Sequence, residues 1–582
     1  MKIVEKSIFF CIAIAGLIFL LTGCQKSKSA FLAVSKTKVE FAKDGGTIDL
    51  SVKTNADKWD VANNGSGWIT MSTTSGASGE ATLSLTVTTR TMEVRRDTLV
   101  FSAGDATPVK VAISQQASDY LYLLSADITN LTFKSDADSA NIAITSEALH
   151  WSITNTAGWV LLSQSEGSSG NTTVKVKAIK NTGNTSRSAT ISISAEGAPL
   201  VQVNISQKAV IYPDYNTDLI APDKTGMNST AAELAAKIRL GWNLGNSLEA
   251  IGGEANWGNP KTTKALIDLV KSNGFNAVRI PCSFNQYMAN SATAQLQSEW
   301  LDRVKEVVQY CIDNDMYVIL NIHWDGGWLE KNCTTAKQDE NNAKQKAFWE
   351  QIATHLRDFD EHLLFASANE PDVSNATQMA VLLSYHQTFI DAVRSTGGRN
   401  SYRILVIQGP KTDIETTNSL MTALPADNIA DHMMVEIHYY TPWNFCGMTE
   451  DAPWGNMFYY WGAGNHSSTD TAHNPTWGEE TTVNTNFGLM KTQFVDKGIP
   501  VVLGEYSVLR RSSLTGEALK LHLDSRAYFL KYVTQQAKAN GILPFYWDNG
   551  ATGNNGCALF DRTSDTVFDQ QALDALIQGA LK

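Results

Sequence analysis

Two glutamates stand out by position. Glu370 closes the apolar run LLFASANE and is followed at once by Pro371; Glu505 sits near the end of VVLGEYS. A carboxylate delivered by a buried strand must be paired, exposed at the strand end or engaged in chemistry. Neighbouring apolar runs end in the same manner. Arg279 lies in AVRIP, His323 ends YVILNIH, and Asn369 precedes Glu370. His438 and Tyr440 lie in MMVEIHYY, Trp547 in LPFYWDNG, and Trp242 and Asn246 in IRLGWNLGN. Two carboxylates in one such set suit acid–base chemistry in which one is protonated and the other ionised, with the environment splitting their pKa values.

The elements that would carry this set lie after Ser229. Eight apolar runs alternate there with helical stretches such as TTKALIDLVKSNG, EWLDRVKEVVQYCIDND and SRAYFLKYVTQQAKANG. Eight strand-then-helix units predict a (β/α)8 barrel, whose functional groups gather at the C-terminal strand ends. A doubly wound sheet is the alternative, but no glycine-rich phosphate loop occupies the first turn. In the barrel, strands four and seven face each other across the mouth, so Glu370 and Glu505 oppose one another. Paired carboxylates across a sugar-sized gap are what glycoside hydrolysis needs. No Gly-x-Ser-x-Gly elbow offers a serine nucleophile. His323, His438 and Glu505 lack metal-motif spacing, so no metal is expected.

The motifs resemble glycoside hydrolase family 5. NEP and GEY are similar to that family's catalytic segments, and GWNLGN, VRIP, NIHWDGGW, HYY and YWDNG follow in the family's order. The resemblance covers roughly residues 229–582. It implies Glu370 as general acid/base and Glu505 as nucleophile of a retaining hydrolase that needs no cofactor. It further implies that Asn369 bonds a sugar 2-hydroxyl and that Arg279 and Tyr440 hold Glu505. His323 and His438 would line the same subsite, and Trp547 would lie beneath the reacting ring. Many relatives carry a second histidine after the strand-three histidine; here Trp324 takes its place, which implies different sugar contacts. Among the loop tryptophans Trp257, Trp328, Trp443, Trp454, Trp461 and Trp477, about half are expected to pack structurally and the rest, Trp257 and Trp443 among them, to stack on sugar. The implied activity is internal cleavage of a β-1,4-glucan: cellulose-type, mixed-linkage or xyloglucan. Mannan cleavage remains an alternative, as does a non-catalytic surface glycan-binding protein.

The preceding text is of another kind. From Phe31 to about Ala209, short alternating runs such as TIDLSVKT and SATISISA are separated by Gly, Asn and Ser turns, as in antiparallel sandwiches. The pattern occurs twice. Trp59 and Trp68 recur as Trp151 and Trp159, each pair followed by a Gly/Ser hairpin, and VKVAISQQA recurs as VQVNISQKA. Both units resemble the BACON domain, an immunoglobulin-like sandwich. The four tryptophans read as core, and the sandwiches as spacers rather than sugar binders.

The N-terminus has the form of a secretory signal, with lysines before an apolar run. It ends in Leu-Thr-Gly-Cys, which resembles a bacterial lipobox and implies lipidation of Cys24. The expected order is therefore signal 1–23, lipid-anchored tether 24–30, sandwiches 31–117 and 118–210, linker 211–228 and barrel 229–582. That implies an outer-membrane lipoprotein facing the cell surface or the periplasm, acting as a monomer. The chain has 582 residues and a net charge of −12, with no basic run beyond its N-terminus, which disfavours nucleic acid. Seven scattered cysteines argue against a disulfide framework, leaving one bridge, Cys333 to Cys446, as the candidate.

Overall fold

The computed structural model describes residues 29–63, 67–183 and 185–581. The signal and Cys24 therefore lie outside the described residues. Among those described, no helix is long and apolar enough to cross a membrane. The chain divides into two compact units, Met1–Val210 and Ile211–Lys582.

The described residues of the first unit form only β-strands and their connections. The strands between Leu32 and Gln115 form one seven-stranded sheet, because the long strand Gly46–Asn63 pairs with Ser75–Val87 along its length and with Arg95–Ser102 at its far end. A register break between Thr54 and Lys58 lets that strand bend from one layer to the other. The second repeat splits into a four-stranded and a five-stranded sheet. Alternation is regular: Ile142 and Ile144 face inward on one strand, Val174 and Val176 on its partner.

The repeated motif has a packing reason. Trp59 is cross-strand to Gly76 and Trp151 to Gly167. A Cβ at Gly76 would sit 2.5 Å from Trp59 Nε1, and one at Gly167 would sit 2.2 Å from Trp151 Cζ2. The hairpin glycines thus make room for two buried indoles. The second tryptophan of each repeat is half-buried and packs against the edge of the core. Arg95 stacks over Trp68 and Arg187 over Trp159, each at 4.6 Å. Each arginine then donates through Nε to the Oε1 of a buried glutamine, Gln115 at 2.8 Å and Gln207 at 2.9 Å.

In the second unit, eight parallel strands close into a barrel. They are β1 (Gly241–Leu244), β2 (Ala277–Cys282), β3 (Tyr317–Ile322), β4 (Leu363–Ala366), β5 (Leu405–Gln408), β6 (Met433–His438), β7 (Val501–Tyr506) and β8 (Ile542–Asp548). The lower interior is apolar, filled by Ala277, Ile319, Leu364, Val406, Met434, Val502 and Phe545. Helix Ala231–Lys237 plugs that end with Leu234 and is started by a capping box between Thr230 and Glu233. Above the apolar layer lies a polar one. Asn243, Arg279, Asn321, Gln408 and Glu436 come from five strands and are all fully buried.

Residues 211–228, read as a linker, are not free of the barrel. Tyr212 and Tyr215 pack on its core, Glu350 accepts the backbone N–H of Tyr215 at 2.8 Å, and Asp214 pairs with Lys346 at 2.5 Å. Aromatic residues on an otherwise polar stretch are what anchor it. The candidate bridge is also corrected: Cys333 and Cys446 are separate free thiols, each buried among apolar side chains.

Candidate active site

The strand-end set converges on Arg279. Its Nη1 donates to Glu505 Oε1 at 2.9 Å and to Asn243 Oδ1 at 3.0 Å; its Nη2 donates to Asn369 Oδ1 at 2.9 Å. Its Nε lies 2.9 Å from Glu436 Oε1, off the N–H axis, as an ion pair rather than a hydrogen bond. The other oxygen of Glu505 accepts from the Tyr440 hydroxyl at 2.9 Å. Glu505 therefore has both oxygens held, and only 7% of its side chain is accessible.

Glu370 differs. Its side chain is 44% accessible, and its one close partner is His438 Nδ1 at 2.8 Å. That same Nδ1 stands 3.7 Å from Glu505 Oε2, so His438 lies between the two glutamates. Ligand atoms of Glu370, His438 and Glu505 all fall within 4.8 Å of one another. His438 Nε2 lies 3.1 Å from Glu436 Oε1.

Electrostatics follow from these partners. Burial disfavours the charged form of His438, but the charge of Glu505 and the hydrogen bonds to Glu370 and Glu436 outweigh it and raise the pKa to about 10. Burial also opposes ionisation of Glu370, yet the hydrogen bond and charge of His438 bring it below the usual carboxylate range. For Glu505, burial and the neighbouring Glu370 charge push upward against His438, Arg279 and Tyr440, and the net direction is up. Two carboxyls this close titrate as a pair. Burial, aided by the charges of Arg279 and His438, keeps His323 well below its ordinary pKa and hence neutral.

The backbone around Glu370 is fixed from both sides. Glu330 Oε1 accepts the N–H of Glu370 at 2.7 Å, and Gln408 Oε1 accepts that of Ala368 at 2.8 Å. Burial raises Glu330 to about 7. Asp325, raised by burial to about 6, gathers the loops after β2 and β3 by accepting from Ser283 Oγ, Phe284 N–H and Trp328 Nε1. Trp547 and His323 stack parallel, with ring centroids 5.7 Å apart. Gly245 leaves space for that indole, since a Cβ there would come 2.9 Å from Trp547 Cζ2.

The cellulase model of glycosyl hydrolase family 5 matches residues 243–553, more than half of the chain. The chain belongs to glycosyl hydrolase family 5. The BACON model for N-terminal binding domains matches residues 57–116 and 149–208. The family 5 xyloglucan-specific endo-β-1,4-glucanase of Bacteroides ovatus is 34% identical over 78% of this chain and 91% of that protein. The structure of a Bacteroides ovatus family 5 xyloglucanase with a XXXG heptasaccharide superposes with a TM-score of 0.59 at 32% identity, covering 79% of this chain and all of that one. A family 5 xyloglucan-specific β-1,4-glucanase from a ruminal metagenomic library, bound to XXLG, has a TM-score of 0.57 at 39% identity, covering 61% and 96%. A broad-specificity family 5 endoglucanase from Ruminococcus champanellensis with cellotriose has a TM-score of 0.52 at 32% identity, covering 62% and 100%.

Within this family 5 barrel, Arg279, Asn369, Glu370, His438, Tyr440 and Glu505 form one bonded network, with His323 and Trp547 stacked beside each other. Trp324 is half-buried at the start of the loop after β3, with Lys331 Nζ 5.5 Å over its ring. Trp443 is half-exposed and meets Tyr440 edge-on at 6.3 Å. Trp257, Trp454 and Trp477 are exposed on loops, whereas Trp328 and Trp461 are buried. Trp242 is not a site residue. It points outward into the core, and its Nε1 donates to Asp548 Oδ2 at 3.0 Å. The inward neighbour on β1 is Asn243, which strand-end reasoning passed over. Glu436 and Gln408 were missed for the same reason, lying one alternation below the rim. The signal for Glu436 was available: a charge inside an apolar run, two residues before His438, faces the same way.

Proposed function

We propose that this family 5 glycosidase cleaves internal β-1,4-glucosidic bonds of xyloglucan by double displacement with retention of configuration. The observation that carries the mechanism is the close approach of Glu370 and Glu505, whose nearest oxygens lie within 4.8 Å. Retaining enzymes hold their carboxyls about 5–5.5 Å apart, whereas inversion needs about 6.5–9.5 Å to admit a water. The substrate assignment is supported by the xyloglucan-specific relatives and by exposed indoles on the loops around the barrel mouth.

Glu505 is the nucleophile. Arg279 and Tyr440 each bond one of its oxygens, which orients the carboxylate and still leaves a lone pair on each oxygen to attack the anomeric carbon. Glu370 is the acid/base. It is the carboxyl that a bound sugar would cover, and covering it removes water and favours its neutral form. Glu505 is already shielded and gains little from the same event. The proton reaches Glu370 along the 2.8 Å contact from His438 Nδ1. Glu370 then protonates the glycosidic oxygen as Glu505 forms the glycosyl ester. With the leaving sugar gone, Glu370 takes a proton from water, which opens the ester. In this reading Asn369, which Arg279 orients, bonds the sugar 2-hydroxyl, and Trp547 stacks beneath the ring.

The chain is further proposed to be secreted and held at the outer membrane through lipidated Cys24, with the sandwiches as spacers; the signal and the Leu-Thr-Gly-Cys sequence support this. The full chain should release reducing ends from tamarind xyloglucan faster than from barley mixed-linkage glucan, carboxymethylcellulose or glucomannan. Glu505→Ala should release none. A faster rate on glucomannan would replace the xyloglucan assignment, and undiminished release by Glu505→Ala would remove Glu505 from the mechanism.

A further inference from the structure

Glu436 is the most deeply buried charge near the two glutamates that strand-end reasoning leaves without a task. It projects from β6 into the barrel with no accessible surface. Space for it is made by a neighbour: a Cβ at Gly504, directly before Glu505, would sit 2.1 Å from Glu436 Oε1. The groups facing it come from four strands. Arg279 Nε approaches at 2.9 Å from β2, and Gln408 Nε2 donates at 2.7 Å from β5. His438 Nε2 lies at 3.1 Å on its own strand, and the Gly504 backbone faces it from β7. Beyond this shell stand Glu370, Glu505, Tyr440 and His323. Burial opposes its ionisation, but Arg279, His438 and Gln408 together keep it below the usual carboxylate range.

We infer that Glu436 is a positioning residue for the reaction, which holds His438 with a proton on both ring nitrogens and so keeps one proton available to Glu370. The inference rests on the acid/base reading of Glu370 given above. It goes further by naming what loads that acid.

The proton balance gives the reason. His438 has an acceptor at each nitrogen, Glu370 at Nδ1 and Glu436 at Nε2. A neutral ring carries one N–H and would turn a lone pair toward one of those carboxylates. The doubly protonated ring satisfies both. It can then pass the Nδ1 proton to Glu370 and become a neutral imidazole that still donates from Nε2 to Glu436. Replace Glu436 by an amide and the side chain can instead donate its N–H to Nε2. The ring is then neutral with its only proton on Nδ1, and giving that up would create an imidazolate. The hydrogen bond to Glu370 survives in that variant, but the transferable proton does not. Glu436 also lies against Arg279, so one carboxylate orients both cations that serve the two glutamates.

Glu436→Gln tests this against a space-filling role. The expected result on xyloglucan is a fall in kcat of about tenfold to a hundredfold with KM little changed. The alkaline limb of kcat/KM should also move toward neutrality by about one pH unit or more. Glu436→Asp, which keeps the charge, should restore most of the wild-type limb. A Glu436→Gln enzyme with the wild-type pH profile would overturn the inference, whatever its melting temperature. If the variant does not fold, 15N-histidine NMR of the wild-type chain at pH 8 decides, with His438 assigned by His438→Gln. Two protonated ring nitrogens support the inference and a neutral ring overturns it. Failure of the wild type to hydrolyse any glucan would instead sink the mechanistic reading, and the NMR result would stand apart from it.

Discussion

Arg279 Nη1 and Glu505 Oε1 lie 2.9 Å apart at the centre of the site, and the same guanidinium holds Asn369 and Asn243. One side chain from β2 thus sets the relative position of the groups delivered by β4 and β7. A lysine reaches one partner as a point charge and cannot reproduce that fork. Arg279→Lys should lower kcat by about tenfold to a hundredfold. The sign of its pH effect is fixed as well. Arg279 lowers the pKa of Glu505, so weakening it raises that pKa and moves the acidic limb of kcat/KM to higher pH. An unmoved acidic limb would mean that Arg279 does not govern the charge of Glu505.

The two glutamates should fail differently. Glu370→Ala should lose about 10²–10⁴-fold on natural glucan but much less on an aryl glycoside whose leaving group needs no proton. Azide should rescue it and give the β-glycosyl azide. Glu505→Gly should be slow on both substrates, and azide should give the α-product from an activated β-glycoside. Product anomers determined by NMR check both, and matching rescue products from the two variants would reverse or dissolve the assignment.

His438 links the site to stability. Its pKa is raised in the fold to about 10, so the stabilisation from its charge is fully present below its unfolded value of about 6.5. That contribution is lost as pH rises through the folded value. Melting temperatures between pH 7 and 10 should therefore fall more steeply for the wild type than for His438→Gln. Parallel curves would show that His438 carries no charge in the fold.

Gly504 offers a check on packing at the same place. Gly504→Ala should lower stability by about 1–3 kcal/mol through overpacking against Glu436, measured by urea unfolding. It should also reduce activity, because the displaced carboxylate contacts both Arg279 and His438. An alanine accommodated without loss would place Glu436 elsewhere.

The sandwiches make a separable prediction. Gln207 is buried, accepts from Arg187 and donates to the backbone carbonyls of Ser135, Asp136 and Ile179. Gln207→Leu removes these bonds, although the Ser135 and Ile179 carbonyls keep the Asn181 N–H and Arg187 Nη2 as donors, and should destabilise that sandwich by about 1–3 kcal/mol without changing hydrolysis. Calorimetry of the full chain beside a reducing-end assay tests this, and a matching loss of activity would contradict it.

The barrel and its rim were legible because strands there end in polar residues that an apolar run cannot explain away. Glu370, Glu505, Arg279, His438 and Tyr440 were found in that manner, and they meet through hydrogen bonds and ion pairs. The layer beneath was not found by the same rule. Asn243, Gln408 and Glu436 lie inside the apolar runs and are recognisable only through alternation, which short strands blur. Irregular register hides more: pairing shifts between Ile437 and His438 on β6 and between Leu503 and Tyr506 on β7. Trp242 was misplaced by the same ambiguity, because adjacent residues of a strand face opposite sides. In the sandwiches, Trp59 and Trp151 followed their pattern, but nothing in the text announced that Arg95 and Arg187 would cover Trp68 and Trp159.

The most direct test of the central claim is the stereochemistry of the first product. Proton NMR during the earliest turnover of a xyloglucan oligosaccharide should show the β-anomer first, with the α-anomer growing in later by mutarotation. An α-anomer at first appearance would mean inversion, and Glu370 and Glu505 could not act as acid/base and nucleophile of a double displacement.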